Sequence, residues 1–353
     1  MSLTTEFTAE ESSLIERSKS TIRILYFFIG GWVGLLALAY SSHHPAWINE
    51  YVWIGFWGLY TSYFLFTWTS CFHETAHQTL NSNKMFSILL GRALGTAMFV
   101  PYTVYRESHI RHHAYLNKPN DWELWPYSDP STSVWFRRAF VWVDLLGGVA
   151  MAPIVYGRLF FHKHSPLKTP EIRRTIWLEY AAIVVVWGAI FSALTYYGTW
   201  GEYFKIWFLP YWLAGVYQTA RKLTEHLGMA SYDPMLGTRT VVGKSFITQL
   251  CSFMNFDIFI HGPHHRHPRA THNVLGQKMK EYLVANPKID FPLFNTYLKA
   301  TASMVPFMFI NPGVGMNVGA PAPGEAKTKN ISNFVGDVTA EVLADTDAIV
   351  GLH

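Results

Sequence analysis

Apolar runs and histidine groups alternate along this chain, and a fold must satisfy both at once. Six runs are apolar enough to consider as membrane helices, roughly residues 22–40, 51–71, 86–104, 139–161, 176–197 and 203–219, since a span takes about 20 apolar residues. They make half of the 353 residues apolar and leave only 15% charged, against about 25% in a typical soluble domain. The expectation is an all-α integral membrane protein.

Between the runs lie nine of the sixteen histidines: His73 and His77 in HETAH, His109, His112 and His113 in HIRHH, His226 in TEHLG, and His261, His264 and His265 in HGPHH. Neutral imidazole binds iron, copper and zinc well, and nine are enough for two ions that keep an open position. If the groups build one site, they share one side of the bilayer, and an even number of crossings separates any two. The run 86–104 lies alone between His77 and His109 and so cannot cross. Three runs lie between His113 and His226. The one to drop is 139–161, because Asp144 and Pro153 interrupt it and a mid-bilayer charge costs several kcal/mol. Four spans remain, about 22–40, 51–71, 176–197 and 203–219, and the two rejected runs become interfacial helices.

The distribution of Lys and Arg is an independent check. Residues 1–23 carry three, 72–174 twelve and 221–353 twelve, whereas the two outer loops, 41–50 and 198–205, carry only Lys205. The positive-inside rule then puts both termini and every histidine group on the cytoplasmic side. The domain plan is a polar N-terminal segment 1–21, a membrane domain 22–310, and a Gly/Pro-rich flexible tail 311–353. Residues 1–20 are polar and partly acidic, unlike a cleavable signal peptide. Cys71 and Cys251 are isolated, so no disulfide framework or cysteine metal site is expected. A net charge of +4 gives no ground for a nucleic-acid partner.

On a helix, His73 and His77 share a face one turn apart. In HIRHH the rings at i, i+3 and i+4 span an arc of about 100°, so such a group can give two nitrogens to one ion and one to its neighbour. In HGPHH, Gly262-Pro263 resembles a helix start, with His261 just before it. HETAH also matches the HExxH zinc-protease signature, in which the glutamate is a base, and Glu74-Thr75-Ala76-His77 matches the ExxH of carboxylate di-iron bundles, although no second ExxH occurs. Beside three boxes, Glu74 reads instead as a group orienting an imidazole. Glu225 stands next to His226, and Asn117 and Asp121 are candidates for holding the second box or for capping its loop. His267 and His272 are expected at the surface or behind the ligands. His43, His44, His162 and His164 are expected to lie out of reach.

The three boxes, with YRESHIRHHAYLNKPNDWEL, TARKLTEHLGM and NFDIFIHGPHHRHP around them, resemble the membrane fatty acid desaturase and hydroxylase superfamily over residues 45–300. The resemblance implies four transmembrane helices under an inner-face cap holding a di-iron centre. Its ligands would be His73, His77, His109, His112, His113, His261, His264 and His265, with His226 matching the family's additional histidine. The third box lacks the common glutamine-first form. No HPGG haem segment and no CxxC cluster occurs, so electrons would come from a separate ferredoxin, rubredoxin or cytochrome b5 type donor.

An unactivated methylene has no acidity for a side-chain base to use, so its oxidation falls to a cofactor. The expected reaction is dioxygen-dependent desaturation of a lipid acyl chain, with hydroxylation or ketolation of a lipid or carotenoid as the alternative. A zinc-dependent membrane protease and a histidine-rich metal carrier are the readings from other classes. Tyr102, Tyr105, Trp122, Trp125 and Trp135 are candidates to line the acyl slot.

Overall fold

The computed structural model describes residues 20–323; the polar start of the N-terminal segment and the end of the tail lie outside them. Helix α1 (Ser20–Ala39) packs along α2 (Glu50–His77) through small residues. A Cβ on Gly30 would lie 2.0 Å from the Phe64 ring, on Gly31 2.6 Å from Trp68, and on Gly34 2.3 Å from Thr61 Oγ1. Only glycine permits that approach, and Trp68 uses it to donate from Nε1 to the Phe27 carbonyl at 3.1 Å.

Asn49 caps α2 by accepting from Tyr51 N, and Gln78 ends it in the left-handed region at φ 59°. Its 28 residues make a rod of about 42 Å, longer than a hydrocarbon core of about 30 Å. The first histidine box occupies its last two turns.

Helix α3 (Lys84–Ala97) and α4 (Tyr102–Ala114) meet at 107°. The run 86–104, expected as one interfacial helix, is therefore two. Phe99 at φ 58° and Pro101 stop α3, and the new helix re-aims the chain so that the second box faces the first. Glu179 of α7 (Pro170–Tyr197) fastens this corner, accepting from Arg92 Nε, Thr103 N and Thr103 Oγ1 at 2.8–2.9 Å.

The run 139–161 is likewise broken. Helix α5 (Val134–Gly147) and α6 (Met151–Phe161) flank a 3₁₀ turn, Gly148–Ala150. By length and apolarity alone, Val134–Phe161 is one of three stretches able to cross a membrane, with α1 and α7; the bent α3–α4 pair would be a fourth. The ground for rejecting it does not stand as an unpaired charge, because Asp144 accepts from Lys222 Nζ at 2.8 Å and Tyr127 OH at 3.0 Å. By the same criterion α2 and the stretch 200–226 are not in that set. Both are rich in Trp and Tyr, α2 also in Thr and Ser, and the end of the latter carries Arg221, Lys222 and Glu225.

That stretch passes from Trp200–Tyr203 through a π-helical turn, Phe204–Phe208, into α8 (Leu209–His226). Gly215 lets the 3₁₀ turn of 148–150 press onto α8, since a Cβ there would lie 2.2 Å from Val149 N. Most of α7 is exposed and apolar, including Val184 and Val185, as a lipid-facing helix would be.

Residues 227–323 fold over the end of the bundle where α2 and α8 stop. They supply α9 (Phe246–Met254), α10 (His261–Arg266), α11 (Leu275–Ala285) and α12 (Tyr297–Ile310). The only strands among the described residues are the two-residue parallel pair β1 (Thr240–Val241) and β2 (Leu293–Phe294). Residues 311–318 are a correction to the expected flexible tail. Arg137 Nε donates to the Pro312 carbonyl at 2.7 Å, Val314 N to the Tyr127 carbonyl at 3.0 Å, and Gly228 N to the Gly313 carbonyl at 2.8 Å. A Gly/Pro-rich stretch stays loose only if its backbone groups find no such partners.

Candidate metal centre

All nine histidines named from the sequence meet at one place, although they come from α2, α4, α8 and α10. They form two adjoining sets. His73, His77, His109, His113 and His264 offer nitrogens within 4.8 Å of one another; His112, His226 and His265 form a second such group, and His226 and His261 a third with Glu225. His261 Nε2 lies 2.9 Å from His226 Nε2 and 3.1 Å from His265 Nε2, so the latter two groups merge into one set of four rings. The His113 and His265 rings stack at 4.1 Å and form the wall between the sets.

Each HxxHH box splits in the same way. His109 and His113 go to the first set and His112 to the second; His261 and His265 go to the second and His264 to the first. Helical phase dictates this, because residues i and i+4 lie about 40° apart and i+3 about 60° to the other side. In the third box, His261 is the first helical residue, not the one before it, and Pro263 occupies the first turn, where its missing N–H has no bond to make. Gly262 N donates to Thr240 Oγ1 at 2.9 Å, tying α10 to β1.

The ring nitrogens fit a metal. His109 Nε2 lies 3.0 Å from His77 Nε2 and 3.1 Å from His113 Nε2. Two metal–nitrogen bonds of about 2.1 Å at right angles would put their nitrogens about 3.0 Å apart. His73 Nε2 and His264 Nε2 are buried with no protein partner. Burial, then repulsion from neighbouring cationic rings and side chains, holds His73, His77, His113, His226, His261, His264 and His265 well below the usual imidazole pKa. They stay neutral, which is the ligating form. A donor set dominated by imidazole suits iron, copper or zinc better than magnesium or calcium.

Acidic groups hold the far nitrogens of several rings. Asp121 Oδ2 lies 2.8 Å from His112 Nδ1, Glu123 Oε2 3.1 Å from His109 Nδ1, and Glu74 Oε1 3.2 Å from His73 Nδ1. Burial opposes the charge on His112, but Asp121 outweighs it and raises that pKa. Burial likewise opposes the charge on Glu123, yet His109 and His112 bring it down to about 2. Glu225 differs: burial lifts it to about 7 against Arg221, and its Oε2 lies 3.5 Å from His261 Nε2, on the cluster side. Asn117, at φ 58°, donates from Nδ2 to the Ser231 and Gly237 carbonyls and so ties the second box to the cap.

Glu123 escaped the sequence reading, although it stands two residues from Asp121 in the same NDWEL. His272 is no surface group: it is buried, with Nε2 3.3 Å from Ser20 Oγ and Nδ1 3.9 Å from Glu74. His267 pairs with Tyr282 OH at 2.9 Å.

A cavity opens beside the cluster. Its apolar lining includes Phe72, Met98, Val149, Met151, Val155 and Tyr211, and its polar end includes Gln218, Lys222 and Asp144. Of the five aromatics expected there, only Tyr105 lines it, with its ring parallel to His109 at 5.5 Å. Tyr102 donates to the Thr75 carbonyl, Trp122 and Trp125 pack under Arg158, and Trp135 is exposed.

A helical bundle with apolar outer faces and two adjoining imidazole sets at its end defines a class: membrane proteins built around a polyhistidine cluster suited to metal. The sequence model of the fatty acid desaturase family matches residues 51–295, more than half of the chain, and the chain belongs to that family. Among curated relatives it is similar to chloroplastic omega-6 fatty acid desaturases. That of Glycine max is 24% identical over 273 residues, 70% of this chain and 61% of the relative. That of Spinacia oleracea is 24% identical over 64% of this chain and 54% of the relative, and that of Brassica napus 23% over 56% and 46%. The matches thus span about half to three fifths of the relatives' own length.

Proposed function

We propose that this protein is a dioxygen-dependent fatty acyl desaturase whose nine histidines hold two iron ions. The observation that carries the reading is the pairing of imidazole sets, five rings and four, in contact with a largely apolar cavity. Relatives named as omega-6 desaturases favour desaturation over hydroxylation or ketolation. The zinc-protease reading loses support because Glu74, the base its signature requires, engages the far side of His73 and accepts from Thr79 Oγ1 at 2.9 Å. Bound iron would supply the dioxygen-derived oxidant that takes hydrogen from an unactivated methylene.

The chain's own residues do the rest. Asp121, Glu123 and Glu74 fix ring orientation and tautomer by accepting from Nδ1, which leaves Nε2 for the ion. Met98, Val149, Met151 and Val155 exclude water and hold an acyl chain in line. Overall, a –CH2–CH2– unit gives up two hydrogens, and dioxygen takes four electrons, two from the substrate and two from a separate carrier, to become two waters. In this reading α1, α2, α7 and the stretch 200–226 cross the bilayer, an inner-face cap covers the site, and site and termini face the cytoplasm. The length of α2 and the Asp144–Lys222 pair, four residues from His226, support that placement.

The test is expression in a host whose lipids are then profiled by mass spectrometry, beside purification with metal analysis. New acyl double bonds and about two irons per chain are expected; in His264→Ala the double bonds should be lost and the iron should fall mainly in the first set. An added hydroxyl or keto oxygen would select the alternative, and a profile unchanged from the empty host would overturn the assignment.

A further inference from the structure

The stretch running from the last turn of α6 into the first turn of α7 is strongly basic. Residues 158–174 contain Arg158, Lys163, Lys168, Arg173 and Arg174 against one acid, Glu171, an excess equal to the net charge of the whole protein, +4. Lys163, Lys168 and Arg174 are exposed. The segment also touches one aromatic residue with an unusual position. The half-buried ring of Trp122 meets His162 edge-on at 5.4 Å, and Arg158 lies over it at 5.0 Å.

Trp122 is joined by peptide bonds to two carboxylates that lead to different imidazole sets. Asp121 bonds His112 of the second set at 2.8 Å, and Glu123 bonds His109 of the first at 3.1 Å. A short route of covalent and hydrogen bonds therefore runs from the basic face to each set.

We propose that Trp122 and the basic segment 158–174 form the docking face for an acidic one-electron carrier protein, with Trp122 as the point of electron entry. The proposal rests on the oxidoreductase reading above. In each turnover two carriers in succession would each give up one electron, leaving the carrier oxidised and the metal centre reduced by one. The required protons come from water. A membrane headgroup would also answer the positive charge, but it gives no reason for an aromatic residue flanked by two carboxylates that each hold a histidine. Opposite charge on the carrier would speed encounter and orient it, an effect that falls with salt.

The test uses the full-length, iron-loaded protein in neutral phosphatidylcholine nanodiscs, reduced anaerobically in a stopped-flow instrument. Two reductants are compared: a reduced acidic [2Fe–2S] ferredoxin and photoreduced 5-deazariboflavin, which is small and uncharged. The double variant Lys163→Glu/Lys168→Glu is expected to lower the second-order rate with ferredoxin roughly tenfold at low salt and to flatten its salt dependence. Trp122→Leu is expected to lower the rate at saturating ferredoxin. In both, reduction by deazariboflavin stays at the wild-type rate, which also shows that the centre is intact. Wild-type ferredoxin rates in the lysine variant would overturn the proposal. The same rates joined to weaker binding of phosphatidylglycerol vesicles would assign the face to lipid instead. A wild-type centre that neither reductant reduces would remove the oxidoreductase reading itself, a different failure from loss of the ferredoxin effect alone.

Discussion

Asp121→Asn isolates what a carboxylate behind a ligand contributes, because it keeps shape and removes charge. Asp121 is fully buried; Oδ2 accepts from His112 Nδ1 at 2.8 Å and from Asn117 N at 3.3 Å, while Oδ1 accepts from Leu124 N at 3.3 Å. An asparagine must turn its NH2 toward one side. Facing His112 and Asn117, it would oppose two N–H groups; facing Leu124, it opposes one and loses only a long bond. The second orientation wins, and the folding cost stays near the low end of the about 1–3 kcal/mol for an unsatisfied buried donor.

The larger effect falls on metal. His112 keeps an oxygen partner, but a neutral one, so the charge-assisted bond that fixes its ring weakens. Loss of such a partner typically costs 10–100-fold in metal affinity, about 1.4–2.7 kcal/mol. His112 belongs to the second set, so that ion is the one to loosen. Titration with a competing chelator, read by metal analysis, should show two ions leaving together from wild type and one leaving about 10–100-fold more readily from the variant. Helix content by circular dichroism should be unchanged. A variant that holds both ions as tightly as wild type would refute the claim that Asp121 acts through His112.

Gly215→Ala should lower the thermal midpoint and activity together, since its Cβ meets the Val149 and Gly148 backbone at 2.2–2.5 Å, and overpacking costs about 1–3 kcal/mol; an unchanged midpoint would contradict that packing. His226→Ala should reduce the bound metal mainly in the second set and leave the first near full occupancy; equal loss from both would mean that the sets are not separable. For the metal-free protein, seven imidazoles have folded-state pKa values well below that of an unfolded chain, about 6.5. Below that pH the unfolded state binds more protons, so the seven contribute full stability above about 6.5 and lose it as pH falls. His112, raised by Asp121, works the other way, as do the carboxyls of Glu225 and Asp121, raised by burial, but these are three against seven. A melting temperature that holds above neutrality and drops on acidification is expected; a flat or rising profile would contradict the sign.

What the sequence displayed was whatever depends on local period. The splitting of each HxxHH follows from helical phase, and phase is a property of five consecutive residues. The outcome of close packing was hidden. The apolar run 86–104 gives no measure of a 107° bend, which depends on where Glu179, 76 residues beyond Thr103, can reach an N–H. Residues 311–318 read as linker because Gly and Pro announce turns without saying whether the carbonyls of those turns meet an Arg137 from 175 residues away. Glu123 was hidden for a related reason. Asp121 and Glu123 look alike in sequence, and both serve because the loop carrying them lies behind a helix whose rings point in two directions.

The energetics of the cluster also argue against a purely structural role. Buried polar nitrogens without partners destabilise a fold, and here His73 Nε2, His264 Nε2, His113 Nδ1, His226 Nδ1 and His265 Nδ1 all lack one. Nε2 atoms about 3 Å apart satisfy one another only when one of each pair donates. His109 Nε2 stands between His77 and His113, and His261 Nε2 between His226 and His265, so one shared proton cannot serve both contacts. Apolar residues in these positions would pack without that frustration, as Leu65, Phe66 and Phe72 do elsewhere on α2. An ion in each set relieves the clash among the clustered Nε2 atoms by accepting their lone pairs, and metal affinity then becomes part of folding stability.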